Sequence, residues 1–444
     1  MQRLLLSLFF LALPWIASAQ ETESAARGKL SGQWRSFYLA TINKGELRDF
    51  HALATGGKIG YSYRLAAGLE AGAVLYTSFN TGIQDLTLPD PTTGRLSRYE
   101  LGLFDVQDPA DRFILFPGEL YLRYQLKKHT LTLGRMKIVS PFINPEDGRM
   151  IPTLEQGLWY TYQQEKRKLE LGVFNRIAPR SASGFMPVGQ SIGVYPVGRH
   201  TNGRPSQYAG ATGSDFIALA HLSLPIREKL RLEAWNYYTD NVFNALYLKP
   251  EYQLGGKLSI AAEWLHESRV GAGGNAVDSL RYFTDARADV LGVQLSTRAG
   301  KGKLSLGYDY ILPQGRFLFP REWGREFLFS FQKRERTEGA ANNHAAVLCY
   351  DRSFGTTASK WRSIISLGHH WKPPVTDAAA NKYAQPDYTH VNLDLFWQSE
   401  KLKGLRPELL LTWKRGSGDF PENPNFVLNK VDMFQINMVV NYNF

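Results

Sequence analysis

The pattern of apolar and polar positions is clearest at the carboxy-terminal end. Phe434, Ile436, Met438, Val440, Tyr442 and Phe444 form one face; Gln435, Asn437, Asn441 and Asn443 alternate with them, interrupted only by Val439. Side chains change sides at every residue of a β-strand, so this segment reads as a strand with one apolar and one wet face. The same period recurs upstream. Leu120, Leu122, Tyr124 and Leu126 oppose Glu119, Tyr121, Arg123 and Gln125, and Val391, Leu393, Leu395 and Trp397 oppose His390, Asn392, Asp394 and Phe396. The pattern predicts strands over 29–40, 56–65, 68–79, 118–126, 130–138, 156–164, 168–176, 215–224 and 230–238. It continues over 242–251, 257–266, 289–298, 303–311, 344–353, 361–371, 388–399, 406–415 and 431–444, about eighteen strands in all.

The connections have a rhythm of their own. Tight turns rich in charge or glycine fall at Lys127-Lys128-His129, Glu165-Lys166-Arg167, Pro225-Ile226-Arg227, Gly255-Gly256, Gly300-Lys301-Gly302 and Lys401-Leu402-Lys403-Gly404. Between them lie long segments, 80–117, 139–155, 177–214, 267–288, 312–343, 372–387 and 416–430, where Pro, Gly, Asn and Asp concentrate. An even number of amphipathic strands with alternately short and long connections describes a transmembrane antiparallel β-barrel, an all-β fold. The start of the chain agrees. Arg3, an apolar run from Leu4 to Ile16 and Ala17-Ser18-Ala19 have the form of an export signal over residues 1–19. The expected organisation is a signal followed by one barrel domain, 20–444, in a bacterial outer membrane with the long loops outward. Past the signal no window approaches the roughly 20 apolar residues of a membrane helix. Lipid offers no partner for an unpaired backbone group, so a spanning sheet must close on itself.

Composition and charge sharpen this. A mean hydropathy of −0.29 fits a barrel whose inward half is polar, and 22 Tyr, 10 Trp and 25 Phe suit aromatic girdles at the two membrane interfaces. The single cysteine, Cys349, can make neither an internal disulfide nor a thiolate metal cluster. With 52 Lys and Arg against 41 Asp and Glu the formal charge is +11, and loss of Arg3 with the signal leaves 51 against 41, or +10. An exported chain without a basic run is not a nucleic-acid binder. The basic balance suits contact with outer-membrane lipid and lipopolysaccharide, or a positive field inside a pore.

At about eighteen strands the lumen is too wide for side chains to fill, so a channel results unless loops fold into it. The segment 139–155 has the features of such a loop. Pro141 and Pro145 fix its approach, Pro152 stiffens its exit, and Asp147 and Arg149 lie at its centre. Here the chain resembles the OprD family of substrate-specific outer-membrane porins. That family's third loop is approached through Gly-x-x-x-x-x-x-Pro and left through Asp-x-Arg-Leu-x-Pro-x-x-x-x-Gly. The matching residues are Gly134, Pro141, Asp147, Arg149, Met150, Pro152 and Gly157, with Met150 replacing the leucine. Arg35-Ser36-Phe37-Tyr38 is similar to a further element near that family's amino terminus. The resemblance implies an eighteen-stranded barrel, monomeric or loosely associated, narrowed by its third and seventh loops. It also implies a ladder of arginines along one wall that passes small molecules bearing a carboxylate. The segment 312–343 and the long second loop depart from the family.

The residues alone give a compatible picture. Arg35, Lys58, Arg64, Arg123 and Arg176 stand in the inward phase of their strands and, with Arg149 and Asp147, form the candidate solute pathway. Arginine suits it because its rigid donor fork matches a carboxylate. Glu70, Glu119, Glu170, Glu263, Asp309 and Asp394 share the phase, as does Lys414, so each position can equally serve in a stabilising ion pair. The expected function is passive diffusion of small polar, preferentially anionic solutes, with no cofactor and no metal. The alternatives are a structural or adhesive barrel and a transporter of hydrophobic compounds, although Gln20–Gly28 is too short for a plug. A phosphate-selective pore would favour a lysine-rich wall. The one Gly-x-Ser-x-Gly sequence, Gly189-Gln190-Ser191-Ile192-Gly193, lies within the long segment 177–214 and not at a strand-to-helix elbow. No Gly-x-x-x-x-Gly-Lys-Ser/Thr element is present, and the adjacent His369-His370 point to opposite faces of a strand, so nothing supports an enzyme.

Overall fold

The structure, a computed structural model, describes residues 27–145 and 149–444; the expected signal and Asp147 lie outside the described residues. The amino-terminal half of the sheet runs β1 (Gly28–Asn43), β2 (Phe50–Ala66), β3 (Leu69–Asn80), β4 (Phe113–Leu126), β5 (His129–Met136), β6 (Leu154–Gln164), β7 (Arg167–Ala178), the two-residue β8 (Met186–Pro187) and β9 (Ile217–Arg227). Next come β10 (Leu230–Thr239), β11 (Phe243–Leu254), β12 (Leu258–Arg269), β13 (Arg287–Ala299) and β14 (Gly302–Ile311). The last are β15 (Asn343–Gly355), β16 (Ser359–Trp371), β17 (Asp387–Ser399), β18 (Leu405–Ser417) and β19 (Met433–Asn443). Each long strand pairs antiparallel with the next, β7 pairs with β9 past the small β8, and β19 returns to β1 with Trp34 opposite Tyr442. The sheet is therefore a closed barrel of eighteen strands with one extra short strand. Closure leaves no edge, which is what the unsatisfied backbone of an open sheet would need in lipid.

The period-two pattern decides which way each side chain points. Leu120 is 58% exposed and Leu133 55%, whereas Gln435 is 0% and Asn437 2%. Apolar residues thus cover the outside and amides line the inside, the reverse of a water-soluble protein and the arrangement lipid requires. Rings gather near both ends. Phe354 stacks on Trp361 (6.3 Å) and Trp361 meets Trp397 (6.2 Å) near the short turns, while Tyr310 stacks on His344 (4.1 Å) near the long loops.

All the expected strands form, but β2 begins at Phe50 rather than Gly56 and β4 at Phe113 rather than Gly118. Gly56 and Gly57 carry no side chains to show the alternation. A Cβ there would strike the carbonyl of Thr77 or of Gln33, so the close packing of β1, β2 and β3 requires glycine. In β4 a register shift opposite Val74 and Leu75 leaves Gly118 extra, and the bulge resets the phase.

The interior is filled by loops. The β3–β4 (81–112), β5–β6 (137–153) and β14–β15 (312–342) segments turn into the barrel. Phe142 packs with centroid distances of 5.2 Å to Tyr247 and to Phe319, and Trp323 is fully buried with its Nε1 donating to Ser191 Oγ at 2.8 Å. Leu101, Leu103 and Phe104 pack against the β1–β3 wall beside Met150 and Ile151.

Candidate functional site: a basic cavity under the inward loops

A loop inside a barrel brings its own N–H and C=O groups out of water, and each needs a partner there. Carboxylates facing inward supply acceptors. Glu263 accepts from the Phe329 amide (2.7 Å) and the Tyr247 hydroxyl (2.5 Å), and Asp309 accepts from the Ser330 amide (2.6 Å). Glu267 accepts from Leu318 (3.0 Å), Glu155 from Ile138 (3.0 Å), and Glu322 from Gly193 (3.1 Å) and Tyr195 (2.9 Å). Ion pairs fix the same loops. Lys414 Nζ lies 2.5 Å from Glu335, Arg336 2.8 Å from Glu326, and Arg321 and Lys382 2.6 and 3.1 Å from Glu338. Burial alone would raise the Glu338 carboxyl, but Lys382 and Arg321 hold it down at about 2. Glu100, in the β3–β4 segment, forms no ion pair among the described residues. Burial pushes its carboxyl up to about 7 against hydrogen bonds from Ser97 and from Thr41 Oγ1 (2.6 Å).

With so many carboxylates committed to the loops, the space that remains is basic. A cavity of about 570 Å³ lies between one arc of the wall (β1–β3 and β16–β19) and the two inward segments 137–153 and 312–342. Among the described residues its lining holds eight cationic side chains: Arg35, Lys58, Lys137, Arg149, Arg325, Lys333, Arg334 and Arg362. Only Asp394 and Glu408 oppose them as acids. Lys137 pairs with Glu119 (3.0 Å), Lys333 with Asp394 (2.8 Å) and Arg362 with Asp351 (2.6 Å). Arg35 donates to the neutral Asn441 Oδ1 at 2.8 Å. Apolar rings and chains share the lining, Phe37, Tyr76, Phe331, Phe396 and Leu409 among them. The cations ride over these rings, with Arg35 and Arg334 5.5 and 5.9 Å from Phe37 and Lys333 5.0 Å from Phe396. Such a site can hold an anion by charge and a flat or aliphatic body by contact.

Similarity to solved structures is extensive over the whole barrel. OpdK of Pseudomonas aeruginosa, solved with vanillate, superposes with a TM-score of 0.69 at 16% identity, covering 94% of this chain and 98% of that one. OccAB4 of Acinetobacter baumannii gives 0.67 at 14%, covering 95% and 99%. OccK2 (OpdF) of P. aeruginosa, in complex with glucuronate, gives 0.66 at 14%, covering 94% and 98%. The fold is that of an OprD-type outer-membrane porin. No protein-family model matches the sequence. No curated protein matches it either.

Within this porin fold the residues singled out from sequence separate into three groups. Arg35 and Lys58 line the cavity. Arg149 reaches its edge but is only 2% exposed, and its guanidinium donates to the Tyr99 carbonyl, tying the third loop to the second. Arg64 and Arg123 stand near the short-turn end, away from the cavity. Arg64 is in register with Glu70, and Arg123 lies 3.4 Å from that carboxylate and over the Tyr121 ring at 4.7 Å. Arg176 does not face the lumen. A register shift at Gln156/Gly157 reverses the phase of β7, so that Ile177 is buried and Arg176 exposed. The segment 312–343, which departs from the OprD pattern, folds inward and supplies Arg325, Lys333 and Arg334. Arg362 carried a readable signal, since it shares the inward phase of β16 with Ser366 and His370. Lys137 fell in the outward phase of the expected strand 130–138, with Leu131 and Leu133, but β5 ends at Met136. The loop cations carried no signal, because nothing periodic places a loop residue.

Proposed function

We propose that this protein is a passive channel of the bacterial outer membrane for small polar solutes, favouring anions that bear a carboxylate. The carrying observation is the excess, among the described residues, of eight basic over two acidic side chains around one lumenal cavity. A ring of one charge sign raises the local concentration of counter-ions and sets ion preference. Solved channels of the same fold hold vanillate and glucuronate, both carboxylates, which supports the solute class. Aromatic and aliphatic side chains facing the same cations offer a place for the uncharged part of such a solute. The pathway residues are Arg35, Lys58 and Arg362 on the wall, with Lys333 and Arg334 opposite.

Reconstitution in a planar bilayer under a salt gradient tests this. Stepwise conductance with a reversal potential on the anion side is expected, and millimolar benzoate should reduce the chloride current more than benzyl alcohol does. Cation preference would refute the anion reading, and a correctly folded barrel without conductance steps would refute the channel.

A further inference from the structure

One arginine pair belongs to neither the lumen nor any ion pair. Cross-strand register places Leu120 of β4, Arg135 of β5, Gln156 of β6 and Arg176 of β7 in one row. The neighbouring row is Leu122, Leu133, Leu158 and Val173, exposed at 47%, 55%, 41% and 49%, so both rows face outward toward lipid. Arg135 donates from Nε to Gln156 Oε1 (3.1 Å) and from Nη1 to the Pro117 carbonyl (3.3 Å), and stands 4.9 Å over the Phe185 ring. Arg176 donates from Nη1 to the Phe185 carbonyl at 3.5 Å. The acids of the same strands point inward and are engaged, Glu119 with Lys137, Glu155 with the Ile138 amide and Glu170 with His221. Among the described residues no carboxylate lies within ion-pair distance of either arginine.

We propose that Arg135 and Arg176 bind a phosphate of an outer-leaflet glycolipid, the lipid A portion of lipopolysaccharide. They lie at the long-loop end of β5 and β7, with the exposed Leu133, Leu158 and Val173 on their short-turn side, where acyl chains can lie while the headgroup reaches the guanidinium groups. A planar donor fork matches phosphate geometry, and basic side chains at a membrane surface attract anionic lipid. A solute crossing the lumen never meets this face. The proposal therefore rests on placement in the outer membrane and is independent of transport.

The test uses full-length, delipidated protein in detergent, titrated with bisphosphorylated lipid A and with its dephosphorylated form. Wild type should bind the phosphorylated lipid about tenfold more tightly, from two basic groups at a membrane surface. The Arg135→Gln/Arg176→Gln double variant should lose that preference while keeping the heat-modifiable mobility of a folded barrel. If the double variant fails to fold, Arg176→Gln alone, at an exposed position, should reduce the preference about threefold. Equal affinity of wild type for the two lipids overturns the proposal, as does a folded variant that keeps the full preference.

Discussion

Lys58 is the side chain whose removal tests the basic cavity most directly. It projects from β2 into the lining, and no carboxylate among the described residues lies within ion-pair distance of it. Glutamine at this position keeps a polar, extended side chain and deletes one full charge. The cavity occupies about 570 Å³. A sphere of that size has a radius of about 5 Å, so an ion at its centre interacts with Lys58 by about 0.8 kcal/mol at the dielectric constant of water. Physiological salt, with a screening length of about 8 Å, reduces this to about 0.4 kcal/mol. Losing the charge weakens the well for an anion and lowers the barrier for a cation by the same amount, so the permeability ratio changes by twice the single-ion energy. The expected fall in anion/cation ratio for K58Q is about four- to fifteenfold, the lower figure at physiological salt and the higher in dilute salt. Reversal potentials at two ionic strengths measure it. An unchanged ratio in a folded K58Q barrel, or a change that does not grow as salt is lowered, would refute the electrostatic reasoning.

Two further outcomes follow from the loop contacts. Arg149→Ala removes a buried charged donor to the Tyr99 carbonyl, a loss of about 1.5–3 kcal/mol in anchoring. Single-channel records should become noisier while the anion/cation ratio falls less than in K58Q, because Arg149 stands only at the cavity edge. A quiet current with a larger loss of anion preference than K58Q would show that Arg149 meets the solute. Glu100, raised to about 7 by burial, holds a proton in the folded loop that an unfolded one releases at lower pH. Its contribution, about 3 kcal/mol, is therefore fully present below the ordinary carboxyl range and lost as pH rises through 7. Hydrogen exchange over residues 97–104, corrected for intrinsic rates, should quicken between pH 5 and pH 8 in wild type and stay flat in Glu100→Gln; equal slopes would exclude Glu100 as the cause.

The barrel was legible in the sequence because a strand between lipid and water must show a period of two, and a wrong register would place charge in hydrocarbon. Legibility ended wherever the period was interrupted. Gly56-Gly57 hid the first turn of β2, and the extra Gly118 hid the start of β4. One bulge at Gln156/Gly157 moved Arg176 from the lumenal to the outer face, a change no count along β7 reveals. The loops were harder still. The resemblance to OprD porins marked 139–155 as inward-folding, and its described residues Phe142, Ile143, Met150 and Ile151 are buried in the barrel, but it carried no information on where Arg149 would bury its charge. That depends on the Tyr99 carbonyl, fifty positions away in another loop. Segment 312–342 enters because wall carboxylates on β12 and β14 accept its amides, contacts that join residues far apart in the chain.

Net charge alone would be a weak guide to the lumen. An excess of 52 basic over 41 acidic residues is modest, whereas eight against two around the cavity is steep. The difference arises from the requirement that backbone amides carried into the barrel find acceptors. A carboxyl oxygen is a natural acceptor for an N–H, and Glu155, Glu263, Glu267, Asp309 and Glu322 are all used in this way. Lys and Arg donate only, and serve the loops through carbonyls as well as through ion pairs: Lys414 reaches the Arg334 carbonyl (2.9 Å) beside its pair with Glu335, and Arg325 the Glu335 carbonyl (3.0 Å). A carbonyl neutralises no charge. A cation spent on a carbonyl still contributes its field to the lumen, while a carboxylate buried against amides and hydroxyls is removed from the solute's reach. Folding loops into a barrel therefore biases the remaining space toward positive potential, and the proposed anion preference would arise from how the loops are held as much as from which residues face the water.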